Sequence, residues 1–202
     1  GAIVTLDDCS DIDTLAAHGG IPETICVRFN PGGTFSLGTQ IMGAPGESKY
    51  GWTREQLLPG LNRLRELGAK QFGLHAFLAS NTTDHSYYPK LAGILLALGK
   101  ELAPQCGLRF AFVNLSGGVG IPYQPDQPAA DILKIGAAVE QEYRQILGDP
   151  REAGVGIKTE LGRFMTGPQG WLVTRAVHEK KIYRDYIGVD ACAANLMRPV
   201  MY

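Results

Sequence analysis

Three short groups of residues follow apolar segments of the chain, and together they could bind a phosphorylated ligand. They are residues 75–80, residues 116–118 and residues 160–163, with the sequences HAFLAS, SGG and ELGR. A glycine-rich loop after a strand offers backbone N–H groups to an anion such as phosphate. The third group adds a carboxylate and a guanidinium. We therefore expect a site that holds a phosphate at one end and a basic nitrogen at the other.

Each of these residues also has an ordinary structural interpretation, which the sequence alone leaves open. Gly117 and Gly118 could form a turn, and His75 could be a packed core residue. Glu160 and Arg163 could form a structural ion pair. The phosphate interpretation is favoured because the groups occur in order, each at the end of an apolar segment.

The elements that would position these residues alternate between strand and helix. Apolar segments rich in β-forming residues predict strands, and leucine-rich segments with helical spacing follow each of the first four. This alternation is typical of a parallel sheet covered by helices, that is, an α/β fold. In an α/β barrel the active site lies at the C-terminal ends of the strands. The predicted strands are residues 2–6, 24–29, 71–78, 108–115 and 155–159.

The pattern changes after Pro168. Residues 171–178 and 186–190 predict two strands that are too close for a crossover helix, so we expect them to pair antiparallel. The sequence thus predicts two domains, 1–170 and 171–202.

Composition excludes several classes of function. The 19 Lys and Arg residues balance 20 Asp and Glu residues, so the basic excess of a nucleic-acid-binding protein is missing. No apolar run approaches the roughly 20 residues that span a bilayer, and a cytoplasmic location is expected. The four cysteines are isolated, without a nearby His at metal-ligand spacing, so no metal site is expected.

The ordered motifs of the chain resemble those of the diaminopimelate decarboxylases. They are Gly117-Gly118, then Glu160-x-Gly162-Arg163, then Asp190-Ala191 with Arg198-Pro199 and Tyr202; supporting segments are SKYG at 48–51 and GLH at 73–75 with Ser80. These enzymes use pyridoxal 5'-phosphate on an alanine-racemase-type barrel. The resemblance implies a partial (β/α)8 TIM-type barrel, roughly strands 4–8, in 1–170, and the start of a C-terminal β-domain in 171–202.

The resemblance also implies roles for individual residues. Gly117, Gly118 and Ser80 would bind the cofactor phosphate. Glu160 would face the pyridine nitrogen and keep it protonated, so that the ring accepts the electrons left when carbon dioxide departs. His75 is a candidate catalytic residue in the histidine motif. Gly162 would let the backbone pass beneath the cofactor.

The substrate-binding residues and the partners are implied in the same way. Arg163 would lie beside phosphate and substrate, while Arg198 and Tyr202 would bind the distal carboxylate of the substrate. The implied reaction converts meso-diaminopimelate to L-lysine in a homodimer with a shared active site. The family's cofactor-binding lysine and trans-acting cysteine have no counterpart here. We therefore expect the 202 residues of this sequence to be part of a longer polypeptide or of a complex.

Some residues depart from the family pattern and keep alternatives open. Phe77 stands where the family has a histidine that stacks on the pyridine ring, and Ala79, Ser116 and Leu161 replace two glycines and a proline. One alternative is a related decarboxylase acting on another carboxylated amine, such as carboxynorspermidine. Others are a non-catalytic homologue that acts as a binding or regulatory module, and an unrelated barrel enzyme for a phosphorylated metabolite.

Overall fold

The computed structural model describes residues 2–33 and 45–197, and residues 1–167 form one compact unit. Five parallel strands of this unit form a sheet in which the spatial order equals the chain order. Consecutive parallel neighbours require a crossover between each pair, which is the arrangement found in α/β barrels. The predicted parallel α/β sheet is confirmed. The strands are β1 (Val4–Leu6), β2 (Thr24–Arg28), β3 (Gln71–His75), β4 (Arg109–Asn114) and β5 (Gly156–Lys158).

Helices occupy the connections between the strands. Three of them begin beside a side chain that accepts free backbone N–H groups. At the helix that follows Thr53, the Gln56 side chain accepts the N–H of Thr53 at 2.9 Å and completes a capping box. The Asp131 carboxylate accepts two N–H groups at 3.1 Å at the next helix but one, and the Asp149 carboxylate accepts the Arg151 N–H at 2.8 Å at the helix after that. The helices are α1 (Asp11–His18), α2 (Arg54–Glu66), α3 (Tyr87–Cys106), α4 (Ile132–Leu147), α5 (Pro150–Ala153) and α6 (Gly162–Thr166).

The two faces of the sheet differ in what they contact. Because side chains alternate along a strand, residues in register share a face. One row packs into the hydrophobic core with the leucines of α2 and α3; it consists of Leu6, Val27, Leu74 and Val113. The neighbouring row lies on the opposite face, here called the inner face; it consists of Thr5, Cys26, Gly73, Phe112 and Gly156.

An aromatic ring covers part of the inner face. A Cβ atom on Gly73 would lie 2.2 Å from Cζ of Phe112, so only glycine leaves room for the ring in this position. The Nζ atom of Lys158 lies 5.2 Å from the centre of the same ring. Phe112 therefore forms an apolar floor beneath the C-terminal ends of the strands.

Strand β3 is shorter than the sequence predicts. It ends at His75 and not at residue 78. The N–H groups of Leu78 and Ala79 donate to the hydroxyl of Tyr87, at 3.0 and 3.1 Å, and not to a neighbouring strand. The segment after His75 is therefore a loop tied to the start of α3.

Residues 168–202 form the second compact unit. Strands β6 (Ala176–Lys181) and β7 (Asp185–Val189) pair antiparallel, as predicted. Strand β6 begins at residue 176 and not at the predicted residue 171. The residues before it bond to the Asp190 carboxylate, which accepts the Thr174 hydroxyl and the Arg175 N–H at 2.7 and 2.8 Å. These bonds lower the pKa of the Asp190 carboxyl, and the bond from the Arg175 N–H has the largest effect. That 171–202 begins a β-domain stays a prediction.

Two further observations concern the described residues, 2–33 and 45–197. None of the helices there combines the length and the apolar composition that crossing a membrane requires. In the same ranges, no three side chains among His, Cys, Asp and Glu are grouped as metal ligands would be.

Candidate active site

Four polar side chains stand in register at the C-terminal ends of β2 to β5. Arg28 pairs with His75, His75 with Asn114, and Asn114 with Lys158. They lie two residues beyond the inner-face row that contains Cys26 and Phe112, and therefore on the same face. The sheet thus brings together side chains that are far apart in the sequence.

Glu160 lies beside the end of β4. The Asn114 side-chain amide donates to Oε1 of Glu160 at 2.7 Å, and the Glu160 N–H donates to the carbonyl oxygen of Ser116 at 2.8 Å. A Cβ atom on Gly117 would lie 2.6 Å from the Glu160 carbonyl oxygen. Glu160 and the glycine loop, which we define as residues 116–120, are therefore in direct contact.

The glycine loop needs glycine for steric reasons. Ser116 and Gly118 have φ angles of +55° and +113°, and a Cβ atom on Gly118 would lie 2.5 Å from the Ala79 carbonyl oxygen. Thr82 donates its N–H to the Gly118 carbonyl at 2.8 Å and accepts the Gly120 N–H at 2.7 Å. These bonds join the loop after β4 to the loop after β3.

Two N–H groups of the glycine loop are available to a ligand. Across residues 2–33 and 45–197, the N–H groups of Gly117 and Gly118 make no hydrogen bond to a backbone or side-chain acceptor. Adjacent free N–H groups in such a loop form an anion site.

His75 is buried beneath these groups. Its side chain is 9% exposed, and within the described ranges its Nδ1 atom has no hydrogen-bond partner. Burial lowers the pKa of His75, and the Arg28 guanidinium lowers it further, against the opposing effect of Glu160 and Asp7. The imidazole is therefore neutral at pH 7 and presents an unused polar atom.

Stability should fall in mild acid because of His75. The unfolded chain takes up a proton near the ordinary pKa of 6.5, but the folded protein takes it up only at lower pH. Below pH 6.5 the unfolded state therefore binds more protons, and the free energy of unfolding decreases as the pH falls towards 5. We expect His75→Gln to reduce this decrease in urea unfolding measured from pH 7.5 to 5.

The exposed His178 on β6 supplies the control for that experiment. His178→Gln should leave the pH dependence as in the unmodified protein. An unchanged profile in His75→Gln would show that His75 is not the titrating group.

The other predicted site residues lie around this cluster or outside the described ranges. Ser80 is half-buried in the loop after β3, two residues before Thr82. Arg163, on α6, lies 5.9 Å from the ring centre of Tyr123. A Cβ atom on Gly162 would meet nothing within 4 Å, so the protein itself does not require glycine there. Arg198 and Tyr202 lie outside the described residues.

Phe77, which replaces a histidine of the family, lies next to the glycine loop. Its Cε2 atom would be 3.7 Å from a Cβ atom on Gly118. A phenyl ring offers a stacking face but no hydrogen bond. Phe77 is therefore close to the anion site, but it cannot form the hydrogen bonds of the family histidine that it replaces.

Sequence reasoning missed Arg28 and Asn114. Arg28 forms an ion pair with Asp7 at 2.9 Å and stacks on Tyr50, 4.4 Å from the ring centre. Asn114 holds the Glu160 carboxylate. The sequence did contain a signal for such residues. A polar residue near the end of a strand, two positions after an inner-face residue, points to the same face, as Arg28 does after Cys26.

Comparison with known proteins identifies the family of the chain. Residues 2–167 match the family described as pyridoxal-dependent decarboxylase, pyridoxal binding domain. The chain belongs to this family. The match covers all five strands of the sheet and the whole cluster around Glu160, which confirms the predicted family and barrel-type fold.

Individual relatives are similar to this chain along most of its length. Protein TabA of Pseudomonas amygdali pv. tabaci is 29% identical over 204 residues, covering 100% of this chain and 46% of TabA. The diaminopimelate decarboxylase of Thermoplasma acidophilum is 29% identical over 185 residues, covering 90% and 43%. A crystal structure of diaminopimelate decarboxylase superposes with a TM-score of 0.78 at 25% identity, covering 99% and 46%. The chain thus spans about half the length of these relatives.

The residues of the site fit pyridoxal 5'-phosphate. The free N–H groups of Gly117 and Gly118 suit a phosphate, and close backbone contacts leave no space there for larger side chains. Glu160 supplies a carboxylate for a basic ring nitrogen. The buried, unpartnered Nδ1 of His75 is a further polar atom on the same face.

Proposed function

We propose that this chain is the cofactor-binding part of an enzyme that decarboxylates meso-diaminopimelate to L-lysine. The observation that carries the proposal is the direct contact between Glu160 and the glycine loop. Their contact puts an acidic group and an anion site side by side at the C-terminal ends of parallel strands. Pyridoxal phosphate has both a phosphate and a basic nitrogen, so it suits this pair of groups.

In this proposal the residues of the chain bind the cofactor and control one proton. Gly117 and Gly118 donate their N–H groups to the phosphate, and Ser80 lies in the adjoining loop. Asn114 fixes the carboxylate of Glu160, which holds a proton on the pyridine nitrogen. When bound, pyridoxal phosphate supplies the electron sink for the carbanion left by decarboxylation. The proton held by Glu160 makes that sink effective.

Arg163 and the neutral side chain of His75 complete the proposed site. Arg163 provides a cation beside phosphate and substrate, and Gly162 precedes it at the start of α6. Neutral His75 offers a polar atom on the inner face without adding a positive charge near the ring. Arg198 and Tyr202 remain predicted ligands of the distal carboxylate, and the shared homodimer site also remains a prediction.

The substrate assignment rests on the relatives. Several curated relatives that are 27–31% identical to this chain are named diaminopimelate decarboxylase. The identity supports the class of reaction more strongly than the particular amino acid.

A substrate panel tests the proposal. The complete polypeptide or complex of which this chain is expected to be a part is supplied with pyridoxal phosphate, and carbon dioxide release is measured with meso-diaminopimelate, carboxynorspermidine, ornithine and lysine. We expect release from meso-diaminopimelate, with L-lysine as the product. Faster release from carboxynorspermidine would overturn the substrate assignment. Cofactor binding without release from any member of the panel would favour the non-catalytic binding module.

A further inference from the structure

Two consecutive buried tyrosines at the start of α3 connect the helix to both loops of the site. The hydroxyl of Tyr87 accepts the N–H groups of Leu78 and Ala79 in the loop after β3. The hydroxyl of Tyr88 donates to the carbonyl oxygen of Gly117 at 2.5 Å. Both rings are almost completely buried, and they contact each other edge to face with centres 5.1 Å apart.

The bond from Tyr88 determines where a neighbouring N–H points. Within the described chain every peptide bond is trans, so the carbonyl of one residue and the N–H of the next point in opposite directions. Because Tyr88 holds the Gly117 carbonyl on its own side, the N–H of Gly118 faces away from the tyrosine. The same rule applies at Ser116, whose carbonyl accepts the Glu160 N–H and thereby directs the N–H of Gly117 away from Glu160.

A Gly-Gly peptide needs such a bond because both residues tolerate the reversed orientation. Glycine occupies positive and negative φ with similar ease, so the peptide between Gly117 and Gly118 can rotate at low cost. In the reversed orientation the carbonyl oxygen would take the place of the N–H and repel an anion. Tyr88 opposes this rotation. Burial raises the pKa of its hydroxyl, which therefore stays protonated and able to donate at neutral pH.

We propose that Tyr88 is a positioning residue for phosphate binding, because its hydroxyl holds the Gly117–Gly118 peptide with the Gly118 N–H available to the phosphate. Tyr87 fixes the loop against which Gly118 packs. The inference rests on the proposed function, since it takes the phosphate of the cofactor to be the anion bound. It adds a residue that does not itself touch the ligand.

The test compares pyridoxal 5'-phosphate with pyridoxal, which lacks the phosphate. Dissociation constants of the full chain for both compounds are measured by equilibrium dialysis, for the unmodified protein and for Tyr88→Phe. Phenylalanine keeps the buried ring and removes only the hydroxyl. We expect the affinity for pyridoxal phosphate to fall about tenfold, while the affinity for pyridoxal changes by less than about twofold.

Tyr143 provides a matched control. It is equally buried, and its hydroxyl donates to the Val155 carbonyl at 2.9 Å and accepts the Val155 N–H at 3.2 Å, next to β5. Tyr143→Phe therefore removes a buried hydroxyl of the same kind. It should lower the melting temperature as Tyr88→Phe does, but it should leave the preference for the phosphorylated compound unchanged.

The outcomes separate this inference from the proposed function. If the unmodified protein binds both compounds equally, the phosphate site itself is wrong. If it prefers pyridoxal phosphate and Tyr88→Phe keeps that preference, the role of Tyr88 is wrong. Should Tyr88→Phe fail to fold, Tyr88 is replaced by 4-aminophenylalanine, which keeps an N–H donor. Retained preference in that variant is expected, and its loss would overturn the inference.

Discussion

Glu160→Gln is expected to lower kcat/KM for decarboxylation by about 10²- to 10³-fold, the usual cost of removing one preorganised electrostatic contact. Glutamine keeps the size of the side chain and an oxygen that can accept from Asn114, but it has no negative charge to hold a proton on the pyridine nitrogen. Steady-state rates of the complete enzyme with meso-diaminopimelate at saturating cofactor measure the effect. Binding of pyridoxal phosphate should change much less, because the glycine loop is intact.

The exposed Glu152 on α5 serves as the control carboxylate. Glu152→Gln removes the same charge without touching the inner face, so its kcat/KM should equal that of the unmodified protein. A Glu160→Gln variant that retains full activity would contradict the proposed role of Glu160 and, with it, the assignment of the cofactor site.

Gly118→Ala should weaken binding of pyridoxal phosphate by about 10- to 100-fold. The added methyl group meets the Ala79 carbonyl oxygen at 2.5 Å, and the φ of +113° is unfavourable for alanine. The strain, about 1–3 kcal/mol, is relieved when the loop changes shape, which moves the N–H groups away from the phosphate. Titration with pyridoxal phosphate, followed by its absorbance, measures the loss.

Gly148→Ala is the control that separates backbone strain from loss of the phosphate site. Gly148 ends α4 with a φ of +84°, but a Cβ atom there meets nothing within 4 Å. The variant should lose stability, by about 1–2 kcal/mol, and keep its affinity for the cofactor. Equal affinities in Gly118→Ala and the unmodified protein would show that the loop does not bind the phosphate.

The sequence was most informative where local patterns decide the structure. Apolar segments predicted the presence and order of the five parallel strands correctly, because this signal lies within a few neighbouring residues. The glycine loop and Glu160 were recognised through their order along the chain. Their direct contact follows from the sheet, in which β4 and β5 are neighbours.

Other features depend on partners that are distant in the sequence. The end of β3 at His75 is set by the hydroxyl of Tyr87, and the late start of β6 by the carboxylate of Asp190, 15 residues from Arg175. Asn114 bonds to Glu160 across 46 residues. No pattern within one segment contains such bonds, so sequence reasoning placed these boundaries incorrectly and missed Asn114.

The neighbour-to-neighbour order of the five-stranded sheet also bears on how the protein is made. Each new strand pairs with the strand synthesised just before it, so none must wait for a partner from a remote part of the chain. Loop closure between adjacent units costs less entropy than closure across the whole unit. Assembly can therefore proceed strand by strand as the ribosome elongates the chain, with each new strand added at the same edge of the sheet.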